Sequence, residues 1–425
     1  NSNLTQFSDA NAKLSTYSYV QPGLMSAYFN PAFPATAFAT NVYDSLNRVK
    51  TQANARNQVT TYYLAGSRAF ALDPVGNKRT WYLNRFGSTL KQFDGLGNKT
   101  ETVFDGLNRP VQVIQAEGNK VVTTFDKNDN PLTMTYVAKA GSGLSNIVKT
   151  FTYDPTWAKV QNYVDGRGNT TVNSYDAVTG NLLTIQRPAV GGFTPTVAMT
   201  WNSRGQMLTR TDETSIVTQL NYDATTEKLL SSVLDFGVGR LNLTTSFGYD
   251  TVGNVTSVTD PNLNVTNFVF DSLRRMTQKT DPAPFSYVSK YTFDDNSNLT
   301  KQERQTGGTP AWQTYSWTYS AGNEKLTAVD PALNSTVWTF DGKDRIATIT
   351  DAQSRQWLYA YDANDRISTV TDPTNTVCET RTYTANGKLA SVKDARNNTT
   401  QYTWDGFDRQ SKTIYQDATF EQNSS

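Results

Sequence analysis

The side chains best supplied for chemistry in this chain are its aspartates, which make up 30 of 38 acidic residues. Paired carboxylates do general acid and base work on glycosides when one is raised in pKa and the other stays ionised nearby. A histidine-free sequence of 425 residues excludes Ser-His-Asp and Cys-His catalysis and the commonest transition-metal ligand sets. The bias toward Asp over Glu has a simpler cause than catalysis, because only the short Asp side chain reaches its own local backbone to cap a turn. Asp362 and Asp372 are therefore read as turn residues. Glu303, Glu324 and Glu379 lie off the repeating pattern and are the first carboxylates to inspect for an active site, although an exposed sheet position explains each equally well. No catalytic, cofactor-binding or metal-binding residue is assigned, and no cofactor is expected.

Aromatic side chains are the second chemical resource. They recur two apart, as at Phe151 and Tyr153, Phe268 and Phe270, Trp338 and Phe340, and Tyr359 and Tyr361. Flat rings in rows stack on sugars, and they equally serve a sheet that must cover one face, since each large side chain taken out of water contributes on the order of 1.5 to 3 kcal/mol.

The elements that position these groups repeat. Residues 361–404 contain one sentence twice: an aromatic followed by a polar turn, a short alternating run, a second polar turn with Asp, and a Thr-rich alternating run to the next aromatic. The anchor aromatic or its substitute can be followed through Tyr43, Leu64, Leu83, Phe104, Phe125, Tyr153, Tyr175, Trp201, Tyr222, Tyr249, Phe270, Phe293, Tyr319, Phe340, Tyr361, Tyr383 and Trp404. Most steps are 21 to 23 residues, and longer ones gain segments such as 139–146 and 304–314, read as lengthened loops. Period-two alternation predicts strands. The Asp, Asn, Gly and Pro clusters predict hairpin turns. An all-β array of hairpins with almost no helix follows, and stacked units of this kind share one continuous sheet, overriding a domain count from length. Residues 1–40 fit the pattern poorly and are read as an atypical capping or lead-in segment, with 41–425 as the repeat array. The sequons at Asn98, Asn169, Asn254, Asn264 and Asn298 arise where turn Asn meets strand Thr.

A net charge of +1 without blocks of either sign gives no footprint for nucleic acid or an anionic membrane. Cys378 has no partner for a disulfide, no apolar run approaches a membrane span, and the start at Asn1 reads as a fragment or processed product.

The phrase Tyr-Asp-x-x-x-Asn/Arg, then Thr-Asp-Pro-x-x-Asn-x-Thr, then aromatic-x-aromatic-Asp resembles the YD repeat of Rhs proteins; the best copies are 249–271 (YDTVGNVTSVTDPNLNVTNFVFD) and 340–362. The resemblance covers about residues 41–415. It implies a long β-sheet coiled into a hollow spiral shell, as in Rhs polymorphic toxins, the C component of Tc toxins and the teneurins. It further implies a secreted or cell-surface bacterial scaffold that is not an enzyme, whose shell encloses or presents a C-terminal toxin or other effector. Neighbouring repeat chains and cell-surface glycan are further expected partners. The Asp-Pro pairs at 281–282, 330–331 and 372–373 lack the Gly-Leu that follows in the self-cleavage motif of Rhs toxins, so no catalytic residue is carried over. An extracellular adhesin or glycan-binding array is the alternative, and a polysaccharide-acting enzyme a third reading.

Overall fold

In the strand Gln356–Tyr361, Trp357, Tyr359 and Tyr361 are half-buried while Gln356, Leu358 and Ala360 are exposed, so alternation in sequence becomes two unlike faces. The structure, a computed structural model, describes residues 3–307, 311–417 and 419–422. It contains 38 strands and, among the described residues, no helix. Each strand pairs antiparallel with the next in sequence, as Ser335–Phe340 does with Ile346–Thr350 and that strand with Gln356–Tyr361. The whole is one meander. Its terminal strands, Gln6–Ser8 and Phe420–Gln422, each have one neighbour and are not paired with each other.

Cross-strand partners carry each face along the sheet. Trp338 lies opposite Ile349, which lies opposite Trp357. On the reverse face Thr339 meets Thr348 with their hydroxyls 2.7 Å apart, and the same pairing joins Thr200 to Thr209 and Thr318 to Thr327. At every anchor except Leu64 the register slips by one residue. A bulge of this kind strengthens the local twist and bends the strand, which curves the sheet once per repeat.

The expected aromatic core does not form as a covered layer. The only apolar residues buried among the described ones are Ala71, Val197, Val233 and Val370, and no large side chain is fully buried. The rings pack side by side along one face, with no second layer over them. The accessible area of 24536 Å² compares with about 16,000 Å² for a compact protein of this mass. A single sheet with both faces accessible accounts for the excess.

Successive hairpin turns fall alternately on two rims. Those after the anchors, such as 105–109 and 362–366, form the anchor rim, and those between, such as 73–77 and 94–98, form the far rim. Residues 3–43 belong to the same meander, with Leu14–Gln21 and Leu24–Phe29 paired antiparallel through two register shifts, at Ser18/Tyr19 and Tyr19/Gln21. The segment expected as a loop at 304–314 instead lengthens the hairpin Leu299–Thr306 and Ala311–Tyr319, because Gln305 pairs with Trp312 and Thr306 with Ala311; residues 308–310 lie outside the described residues.

Candidate functional site

The repeating unit is built on a relay from Asp to Arg to aromatic. Asp362 Oδ1 accepts from the backbone N–H groups of Asn364 and Arg366 at 2.8 and 3.1 Å, and its Oδ2 accepts from Arg366 Nε at 2.8 Å. Where the fifth turn residue is Asn, its amide replaces the guanidinium, as Asn254 does at Asp250. The Arg366 guanidinium then lies 4.1 Å from the centre of the next anchor ring, Tyr383. Arg109 covers Phe125, Arg275 covers Phe293, Arg345 covers Tyr361 and Lys388 covers Trp404 in the same way. The anchor's polar tip turns back to the preceding hairpin: Tyr383 Oη donates to Ile367 O at 2.8 Å and Trp404 Nε1 to Leu389 O at 2.8 Å. Ring, cation and carboxylate thus lock one repeat to the next.

Asp362 and Asp372 are turn caps, Asp372 accepting from the backbone of Thr374 and Thr376. The three glutamates of interest are not brought together as a catalytic pair. Glu303 pairs with Lys301 at 2.8 Å within its strand, and Glu379 pairs with Arg381. Glu324 sits in the anchor-rim turn 320–324 against Ser320. Burial, then the nearby Asp344 charge, raises the Glu324 pKa against the opposing pull of Arg56. Among the described residues no group of His, Cys, Asp and Glu is placed to hold a metal ion. No helix among them is long and apolar enough to cross a membrane.

The constellation that sequence reasoning missed is a seam. Contacts between residues 261 to 291 apart join the far rim of the first 140 residues to the anchor rim of 271–409. Arg56, on the far rim, bonds Asp344 and donates to Asp341 O at 2.7 Å. Arg79 meets Asp365 at 2.8 Å, Lys13 meets Asp295 at 2.9 Å, and Lys343 reaches back to Asp73 at 2.6 Å. Asn364 serves as an amide clasp: its Oδ1 accepts from Gly95 N at 2.9 Å and its Nδ2 donates to Asp94 at 2.6 Å. Asn386 repeats the clasp one turn on, accepting from Glu117 N at 2.9 Å and donating to Asn119 at 2.7 Å.

Further along the seam, Lys139 lies between Glu117 and Asp408. Burial would push the Asp408 carboxyl up, but Lys139 and the amides of Asn386 and Asn119 outweigh it and hold the pKa below the usual carboxylate value. Burial would lower the Lys139 pKa, but the Asp408 and Glu117 carboxylates outweigh it and raise the ammonium above its ordinary value.

Close approach also fixes glycine at the seam. A Cβ at Gly95 would stand 2.0 Å from Ala363 O, and one at Gly406 within 2.8 Å of Ser142 and Ala138. The signal available in the sequence was the fourth turn residue. That position takes positive φ, 60° at Asp344, 68° at Asp365 and 63° at Asp408, where Gly or Asn is easier to hold. All three aspartates project into the seam.

One rim of the sheet therefore docks on its opposite rim, which makes a coil that advances instead of closing. The turn after the fifth strand meets the turn after the thirtieth, and that after the eleventh meets that after the thirty-fourth. A coil holds about 24 strands; at 4.8 Å per strand its circumference is about 115 Å and its diameter about 37 Å.

Comparison with known proteins agrees with this geometry. The family model described as RHS Repeat matches residues 249–285, 340–377 and 383–419. No curated protein is significantly similar in sequence. The crystal structure of TcdB2-TccC3-TEV is similar over 98% of this chain with a TM-score of 0.67 at 14% identity, and that of TcdB2-TccC3-Cdc42 over 96% with 0.62 at 13%. The Tc holotoxin pore of Photorhabdus luminescens is similar over 95% with 0.58 at 15%. This chain spans about a quarter of the length of those solved chains, 26%, 26% and 23% respectively, and at such identity the likeness is one of fold. The chain thus carries RHS repeats at 249–285, 340–377 and 383–419 within a fold like that of these solved chains.

Proposed function

We propose that this chain is a length of shell wall in a secreted or cell-surface bacterial protein, and that the space its coil surrounds holds a toxin or other effector polypeptide. The observation that carries the reading is a one-layer sheet seamed into a coil: its area is far above that of a compact body, and among the described residues no large side chain is fully buried. Side chains crowd on the concave face of a coiled sheet and splay on the convex one. The half-buried aromatic row and the exposed Thr row assign the aromatic face to the lumen on that ground. An apolar, ring-lined lumen suits a polypeptide held unfolded. The solved TcdB2-TccC3 structures support a partner chain as well.

The glycan-binding reading is less well served, since many anchor rings already carry a guanidinium or ammonium over one face. The carboxylate pair that a catalytic reading would use, Glu324 beside Asp344, is part of the seam, with Asp344 bonded to Arg56 and Asn54. The test is protease protection of an effector polypeptide fused after residue 425. Protection at a protease dose that degrades the free effector is expected; degradation at the same rate as the free effector would overturn the enclosing role.

A further inference from the structure

The turn after the anchor Leu64 departs from the other repeats. Its residues, Ala65-Gly66-Ser67-Arg68, put Ala where Asp362 stands after Tyr361. It is also one residue shorter, since Leu64 pairs with Ala69 whereas Tyr361 pairs with Ile367. A one-residue change in register sends the following side chains to the other face of a sheet. Arg68 accordingly lies opposite Tyr82, on the face that faces away from the anchor rings. Other repeats carry hydroxyls on that face, as where Thr339 pairs with Thr348. Here Tyr63 pairs with Phe70, Phe70 with Thr80, and Thr80 with Phe93.

The Tyr63 and Phe70 rings stack with their centres 4.2 Å apart, and Tyr63 stays 45% exposed. Lys78 Nζ stands 4.4 Å from the centre of Phe70, and the Arg68 guanidinium 5.5 Å from that of Tyr82, which meets Phe93 edge-on. At the anchors a cation so placed is neutralised by the carboxylate of its own turn, as Arg366 is by Asp362 and Arg345 by Asp341. Arg68 and Lys78 have no carboxylate partner among the described residues. The hydroxyls of Tyr63 and Tyr82 likewise have no hydrogen-bond partner there, unlike that of Tyr383. Arg68, Lys78 and Tyr82 line an open groove of about 400 Å³ with the buried Thr80, the size of a small-ligand cleft. The Asp94 carboxylate on its wall is taken up by Leu96, Asn98 and Asn364.

Two cations held in place over rings and left without counter-charges call for an anion. Free phenol hydroxyls and an exposed ring beside them call for hydroxyls and a flat apolar surface on the same ligand. A carboxylated or sulfated sugar offers all of these, and an acidic peptide only the charge. We propose that this groove binds an acidic saccharide, its anionic group held by Arg68 and Lys78 and a neighbouring sugar ring laid on Tyr63. Binding here is independent of what the coil encloses.

Calorimetric titration of the full 425-residue chain tests it with tetragalacturonate, the methyl ester of that oligomer, a sulfated heparin tetrasaccharide and a tetraglutamate peptide. Tetragalacturonate or the heparin fragment should bind, the tighter of the two telling carboxylate from sulfate. The ester and the peptide should bind about tenfold or more weakly. Arg68→Gln, Lys78→Gln and Tyr63→Ala should each weaken the tighter saccharide about tenfold. Lys290→Gln, which removes a cation from over Trp312 on the same face, should leave binding unchanged. All four altered side chains are exposed, so unchanged circular dichroism is the folding control. No binding of either acidic saccharide, an ester or peptide that binds as tightly, affinity unmoved in any of the three site variants, or an equal loss in Lys290→Gln would each overturn the proposal.

Discussion

Tyr383 gathers most of what holds one repeat to the next: its ring lies under Arg366, and its hydroxyl donates to Ile367 O. Tyr383→Phe removes the hydroxyl donor and keeps the ring, and should cost about 1 kcal/mol in denaturant unfolding. Arg366→Ala loses the bond to Asp362 and the cation over the ring together, and should cost about 1 to 2 kcal/mol. An Arg366→Ala effect no larger than that of an exposed surface alanine would remove the relay from the account. The role of Asp as turn cap was legible in the sequence, because the reach of its side chain to the backbone two and four residues on is a local matter. The role of the fifth turn residue was visible as a position and not as a function. Its partner ring is about 17 residues downstream, and only the folded hairpin brings the two together.

At the scale of the element, the hairpin and its two turns follow from alternation and from Asp, Asn and Gly placed where the chain must reverse. The seam does not. It depends on how many strands complete a coil, which the curvature accumulated over about 24 bulged strands decides, so residues some 270 apart meet without any local sign. Asp344, Asp365 and Asp408 were the trace it left, acidic residues at left-handed positions. Gly95 gives the sharpest test. Gly95→Ala forces Ala363 away and should open the seam, seen as faster hydrogen exchange at the Glu117 and Lys139 amides, which donate across it. Gly106→Ala, on the uncovered anchor rim, should leave exchange unchanged. Equal exchange in the two variants would count against the seam.

Acid should loosen the same element. Asp73, Asp94, Glu117 and Asp408 all lie below their ordinary pKa; burial opposes the shift in each and is outweighed by Lys343 with the turn residue Asn77 at Asp73, by the turn residue Asn98 and then Asn364 at Asp94, by Lys139 at Glu117, and by Lys139 with Asn386 and Asn119 at Asp408. A depressed carboxylate pKa gives stability that is fully present above the unfolded value and lost as pH falls through the folded value. Seam opening is therefore expected below about pH 4. Glu324 works in the opposite sense: its raised pKa means that its protonation favours the folded seam as pH falls. Asp408→Asn should shift the acid transition, read by intrinsic fluorescence against pH; a midpoint unmoved in that variant would place the transition elsewhere.

The whole molecule is a wall without a core, and its shape comes from the curvature of one sheet and from the seam that fixes the coil. That the chain is an array of hairpins is written in its 21-residue period. The shell was implied by family resemblance, and the diameter and the pairing of turns across the seam needed the folded chain. The central claim is that residues about 290 apart stand side by side because the sheet has gone once round. Leu96, in the far-rim turn 94–98, and Ala385, in the anchor-rim turn 384–388, are both exposed, and Asp94 and Asn98 of the first turn line one groove with Ala385 of the second. With Cys378→Ser removing the native thiol, nitroxides at Leu96→Cys and Ala385→Cys report their separation by pulsed dipolar spectroscopy. The coil predicts a distance of about 20 Å or less, whereas the same strands in an uncoiled sheet would hold the labels about 120 Å apart. A narrow short distance establishes the coil, and a dipolar signal with no such distance would contradict it.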